Sequence, residues 1–344
     1  MRSPSALQGD CDTGDMGVWS NSVYNPERLK FFDRWLKNKA NNIGQKKAVR
    51  LYVMGCGDGD LTVSGNLNHG GKWRYEDDWP PRNQVKEIYY LKVNGFLDNQ
   101  SASETPSNLS YVYDPSNPVP TIGGPLVGMF EIKQPDSGGP DLNVLPNHLD
   151  QWAFVKNYIQ EVIPAGGFHQ KETAEIFGAK PPYKLLKDRN DVLIFETSPM
   201  KEAIEITGVI EVEIFVSSDA LDTDFTVKIL DIYPFSKDFP EGYHLNLTDT
   251  IFRMRYREGY DREVNMVKND VYKVRINLWP TSNLFKKGHK LRLDISSSNF
   301  PRFDPNPNTG QAMGKHTSLV KATNTVWMGG VYSSKIKIPV IRNL

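Results

Sequence analysis

From about Asp191 to the C-terminus, apolar residues recur with a period of two, which places them on one face of a strand and on no single face of a helix. In Val209–Val216, Glu211 and Glu213 point one way while Ile210, Val212 and Ile214 point the other. Val271–Leu278 repeats the pattern with Lys273, Arg275 and Asn277 outward. Lys290–Ser296 and Lys335–Ile341 follow it again. Pro/Gly turns separate these segments at uneven intervals, which predicts a two-sheet antiparallel sandwich of jelly-roll type. No fixed repeat period is present, so a propeller or solenoid is not expected.

The first 80 residues have a different texture. In the segment PERLKFFDRWLK, Leu29, Phe32, Trp35 and Leu36 recur at helical spacing, and Pro26 suits a first turn because it has no amide hydrogen to leave unpaired there. A strand is expected over Ala48–Met54, ended by Gly55. It is apolar with little alternation, which suggests burial on both faces, as in a parallel sheet. Helix followed closely by such a strand is the pattern of an α/β layer at its C-terminal edge. After Trp79-Pro80-Pro81 the chain turns rich in Pro, Gly, Asn and Ser, with irregular connections. One further helix is expected there, over Gln151–Val162, with Trp152, Val155, Ile159 and Val162 on one face.

Catalytic chemistry is harder to find. An acyl-transfer enzyme needs a nucleophile on a strained turn, a base beside it and donors for the oxyanion. No G-x-S-x-G occurs, and Ser296-Ser297-Ser298 follows a strand without a glycine elbow, so its hydroxyls are expected to satisfy backbone groups. His69, His148, His169, His244, His289 and His316 stand singly among loop residues or at a strand start, with no H-x-x-x-H or H-E-x-x-H pair for a metal. Cys11 and Cys56 read as two unreactive thiols, although a bridge between them is not decided by spacing. Asp77-Asp78 and the trio Asp219, Asp222 and Asp224 lack an EF-hand glycine or closing glutamate, and read as turn and strand-start residues. No catalytic, cofactor-binding or metal-ligating residue is assigned, and no cofactor is expected.

Charge excludes several classes of partner. Lys+Arg 41 against Asp+Glu 41 leaves a net charge of +0, so no whole-chain field draws nucleic acid or an anionic membrane. No apolar run approaches the roughly twenty residues needed to cross a bilayer as a helix.

Several segments together resemble one family: FFDRWLK (31–37), VRLYVMG (49–55), KWRYEDDWPP (72–81), YVYDPSNPVPTIGG (111–124), RNDVLIFET (189–197), SSDALDTDFTVKILDIYP (217–234), LWPTSNLFKKGHKLRLDISSSNFPRFDPNPNTG (278–310) and SSKIKIPVI (333–341). They are similar to the CocE/NonD-type serine hydrolases, the cocaine esterase, glutaryl acylase and X-prolyl dipeptidyl aminopeptidase family, from near residue 10 to the C-terminus. The resemblance implies an α/β-hydrolase core carrying a Ser–Asp–His triad, a helical cap, and a C-terminal galactose-binding-like jelly roll. The family's P-W-x-H-like histidine loop normally stands shortly before the FFDRWLK helix. Here the first 30 residues contain no histidine, and GDCDTGDMG looks like the stretch that follows that loop. The expectation is a chain that begins just after the triad histidine and carries over no catalytic residue.

The resulting expectation is a mainly β chain: residues 1–80 as the end of an α/β-hydrolase core, and 81–344 as the β-sandwich, with an irregular insertion over 125–185. Its function would be that of the C-terminal portion of a serine acyl hydrolase acting on a small-molecule ester, amide or peptide substrate, inactive alone and prone to self-association. The alternative is a stand-alone jelly-roll module binding a ligand or carbohydrate, with the 7 Trp and 15 Tyr available for stacking.

Overall fold

The computed structural model describes residues 7–14, 24–100, 104–125, 129–132, 159–312 and 314–342. Two short strands, Leu7–Gln8 and Cys11–Asp12, precede an α-helix, α1 (Tyr24–Trp35), with Glu27 in its first turn and Arg34 in its last, each at the end its charge favours. None of its residues is buried. Four long strands follow: β1 (Val49–Met54), β2 (Gly71–Glu76), β3 (Val85–Leu91) and β4 (Ser107–Tyr113). The second half contributes β5 (Leu193–Glu196), β6 (Ile204–Gly208), β7 (Glu211–Ser218), β8 (Asp224–Tyr233) and β9 (Tyr243–Arg253). The last five are β10 (Tyr272–Asn277), β11 (Thr281–Phe285), β12 (Lys290–Ser296), β13 (Ala322–Met328) and β14 (Lys335–Ile341).

Two sheets pack face to face as a β-sandwich. The smaller runs β5-β12-β8-β9, antiparallel throughout. The larger runs β2-β1-β11-β6-β14-β7-β13-β4, with β10 pairing β7 and β3 pairing β14. Ile206, Val212, Ile214 and Val216 from the larger sheet meet Phe225, Val227, Leu293 and Ile295 from the smaller in one continuous core. Those side chains are the inward set of the period-two pattern. Glu211 and Glu213 lie on the other face and pair with Lys273, Arg275, Lys335 and Lys337 across the neighbouring strands.

Two expectations are corrected. β1 is not buried on both faces: Leu51 and Val53 are buried, whereas Arg50 is exposed and its guanidinium lies 4.1 Å from the centre of the Trp73 ring. The physical reason is its pairing, antiparallel to β2 on one side and joined to β11 on the other by one parallel register pair, Met54 with Asn283. The helix expected over 151–162 lies mostly outside the described residues, and its end is instead a strand, Ile159–Ile163, antiparallel to Met129–Ile132. β-branched Ile159, Val162 and Ile163 suit that extended backbone.

The outer face of β8 is covered too. All ten of its residues are buried, including Asp224, Lys228 and Asp231. The segment 163–172 crosses the start of β9 with residues 7–12 beside it and reaches Lys228 through Gln170, while Asn306 bonds Asp224 and His289 and Asn283 bond Asp231.

Candidate functional site

A cavity of about 220 Å³ opens where residues 7–13, the turn after β1, the 166–167 backbone and the start of β9 converge. Cys11, Thr13, Met54, His69, Leu245 and Asn246 are among its lining residues. Glycine lets its walls approach one another. A Cβ at Gly166 would sit 2.4 Å from the Gln8 carbonyl carbon, and Gly166 also adopts φ +108°, which an L side chain rarely does. Segments 9–10 and 167 are tied by a parallel bridge and by the Asp10 amide donating to the Gly167 carbonyl at 2.9 Å.

The polar groups beside the cavity are held for packing. His69 is buried, and its Nδ1 stands 2.6 Å from the Tyr233 hydroxyl. Burial pushes His69 down to about 4, so it is neutral at pH 7. Tyr233 lies over His289 at 4.2 Å between ring centres, and His289 Nδ1 is 2.7 Å from Asp231 Oδ1. Asn283 Nδ2 donates to the other oxygen of Asp231 at 3.2 Å. Asn246 Oδ1 accepts the Phe168 amide at 2.8 Å, while its Nδ2 has no hydrogen-bond partner. The Cys11 thiol, which lines the cavity, is pushed up by burial and by the nearby Asp10 and Asp231 charges. A thiol held that firmly protonated is a small apolar wall rather than a nucleophile. The arrangement can enclose a compact apolar group; it has no activated attacking atom among its described residues.

The residues weighed from the sequence fall into structural roles. Ser296 shares a hydrogen bond with Thr226, Ser297 with Tyr111 and Asn324, and Ser298 accepts the Val119 amide. Asp222 is fully buried against fully buried Arg255 at 2.7 Å, and Asp224 holds Arg253 at 2.8 Å. Asn306 Nδ2 donates to both carboxylates, and Asp219 accepts the Thr323 amide. Asp77 and Asp78 pair at the surface with Lys47 and Arg82. Cys11 and Cys56 are free thiols. His316 is exposed, and His148 lies outside the described residues. Among the described residues no three His, Cys, Asp or Glu side chains gather as a metal site. Sequence reasoning missed the cavity because its walls come from positions as far apart as Cys11 and Asn246; a Gly-Gly pair, Gly166-Gly167, was the one local signal.

Comparison with known proteins places these features in a lineage. Residues 41–337 match the model of the X-Pro dipeptidyl-peptidase C-terminal non-catalytic domain. A cocaine esterase from Rhodococcus sp. is 31% identical over 322 residues, covering 91% of this chain and 45% of that protein. A putative serine esterase from Mycobacterium bovis is 25% identical, covering 92% of this chain and 41% of its own length. Among solved structures, an aminopeptidase from a Thaumarchaeota archaeon superposes with a TM-score of 0.66 at 26% identity, over 96% of this chain and 45% of that one. An α-amino acid ester hydrolase superposes with a TM-score of 0.63 at 22% identity, over 98% and 47%. The chain thus spans about half the length of the relatives it matches. With the weighed serines and the Asp222 and Asp224 carboxylates engaged in packing contacts, and with the family match running across both sheets, the chain belongs to the X-Pro dipeptidyl-peptidase C-terminal non-catalytic domain family, as that domain occurs in the CocE/NonD-type serine hydrolases.

Proposed function

We propose that this chain serves as the non-catalytic C-terminal portion of a serine acyl hydrolase, which cleaves an ester or amide bond by an acyl-enzyme route. The observation that carries this reading is the bare face of α1. Leu29, Phe31, Phe32 and Trp35 of the helix, with Leu36 just past its end, are 59%, 50%, 44%, 62% and 75% exposed, and the helix buries nothing. An apolar stripe of that width is one that a folded partner covers. Relatives about twice as long supply a place for such a cover, upstream in the same polypeptide. In this reading the sandwich buttresses the catalytic half and walls one side of its active site, while the nucleophile, base and acid stand in that half. The composition of the core, with its histidines and serines engaged in packing, supports a scaffolding role for the present chain.

The test is reconstitution. Joining the chain to an upstream half that carries a G-x-S elbow and a histidine loop should yield hydrolysis of a nitrophenyl ester, whereas the chain alone should give no rate above buffer. A joined protein that folds cooperatively yet stays inert, or an isolated chain that turns over the ester, would overturn the proposal.

A further inference from the structure

Residues 163–172 form a strap across the start of β9, and two histidine rings meet where they cross. His169 lies on the strap, and its Nδ1 accepts the backbone amide of His244 at 2.9 Å. His244, at the start of β9, turns its own Nδ1 toward Arg292 Nη1 at 3.1 Å. Both ring nitrogens face donors, an amide N–H and a guanidinium N–H, so each must be an unprotonated acceptor for the contact to exist. The rings stand edge to face at 5.4 Å, and His169 also stacks on Tyr243 at 4.6 Å. Gln170 Nε2, next along the strap, donates to the Ile122 carbonyl, and its amide donates to the His244 carbonyl at 2.9 Å.

The charges around the pair are unequal. β12 presents Lys290 and Arg292, the latter held by Asp294 at 2.5 Å, and the helical turn Leu186–Asp188 presents Lys187. The strap adds Lys171, and β8 adds Lys228, bonded to Gln170 Oε1 at 2.6 Å. On the acidic side stand Glu241, in the turn before β9, and Asp10, which accepts the His169 amide at 3.4 Å and the Tyr243 hydroxyl at 3.2 Å. Cations thus predominate around His244, while His169 has charges of both signs nearby, Lys171 and Arg292 against Glu241 and Asp10. Burial first, then these cations, hold His169 at about 4 and His244 at about 3, below the ordinary imidazole value of about 6.5.

We propose that His169 and His244 make the strap a proton-operated latch: protonating them frees residues 163–172 from β9 and uncovers the cavity that Gly166 and Gly167 help to wall. The 7–12 segment, tied to Gly167 in both directions, is released with it. The sign follows from linkage. Both groups bind protons more weakly in the closed state than in an open one, so closure is fully favoured above about 6.5 and is lost as pH falls toward 4. With two protons taken up on opening, the open-to-closed ratio rises by up to about 100-fold per pH unit inside that window.

Hydrogen–deuterium exchange of the full chain, read as protection relative to intrinsic rates, tests this between pH 7.5 and 4.5. Peptides spanning 163–172 should lose protection steeply, while β7 and β8 keep theirs. His169→Asn and His244→Asn place an acceptor near the Nδ1 position without a titratable ring, so each should flatten the slope to about 10-fold per unit, and the pair should abolish it. Unchanged strap protection, an equal slope in the double variant, or loss only together with β7 and β8 would each overturn the latch. Should the double variant fail to fold, the imidazole titrations of the wild-type protein by NMR decide. Values near 6.5 for both rings refute it, and values near 4 or below support it.

Discussion

At the scale of single residues, this molecule depends on polar side chains removed from water. His69 is the clearest case, because its ring is buried and neutral against Tyr233. Its folded value of about 4 lies below the unfolded value of about 6.5. The unfolded chain therefore binds the extra proton, and stability present above 6.5 is lost as pH falls toward 4. Between pH 7 and pH 5 the loss from this group is roughly 2 kcal/mol. In urea titrations, His69→Asn should lose about that much less than wild type over the same interval; equal losses would mean another group governs the acid limb. Asp222 and Arg255 are the charged counterpart. Both are fully buried, and Arg255 also reaches Glu263 at 3.0 Å. Asp222→Ala would leave a buried guanidinium short of its partner, at a cost of about 3–5 kcal/mol in unfolding free energy. Asp222→Asn keeps an acceptor for the Arg255 amide and should cost less, a ranking that thermal denaturation can read directly.

At the scale of elements, what could be read from the sequence follows from which faces are covered. Strand β10 alternates buried and exposed as its Val274 and Ile276 predict, because water lies on its outer side. Strand β8 has no such alternation: Asp224, Lys228 and Asp231 are buried like their apolar neighbours, Lys228 bonded to Gln170 of the strap, Asp224 to Arg253 and Asn306, and Asp231 to His289 and Asn283. A polar residue buried by a distant segment carries no local signal, so the strap, the cavity and its histidine contacts could not be seen from period or spacing. His69 and Tyr233 meet across 164 positions of chain. The α1 helix was legible for the opposite reason, since its apolar stripe is a property of its own residues. That stripe leads to a prediction of its own. The isolated chain should self-associate through it, and Phe32→Glu with Trp35→Glu should shift the mass seen by light scattering toward the monomer. Stability should change by no more than about 0.5 kcal/mol, because neither side chain is buried. Association that persists in this double variant would place the contact elsewhere.

At the scale of the whole molecule, the question is whether residues up to 80 form a unit apart from the sandwich. The boundary expected from the change in sequence texture at residue 80 would give two unfolding transitions. The pairing argues for one. β2 and β1 extend the same sheet as β11 and β6, and Arg74 on β2 grips Glu205 on β6 through two bonds of 2.6 and 2.7 Å. Glu205 is fully buried and also accepts the Thr207 hydroxyl at 2.6 Å, so its charge has no water to fall back on if Arg74 leaves. The Lys286 ammonium donates to the Gly57 carbonyl, and the Leu61 amide donates to Asp238 at 3.0 Å, which ties the connection between β1 and β2 to the rest of the fold. Segments bonded this way lose their partners together. Scanning calorimetry should therefore show one endotherm whose calorimetric and van't Hoff enthalpies agree. Arg74→Ala, which strands the Glu205 carboxylate, should lower that single transition by about 2 kcal/mol of unfolding free energy without splitting it. If instead an early, smaller transition separates and Arg74→Ala moves only that one, the first 80 residues fold as a body of their own, and the sandwich stands without them.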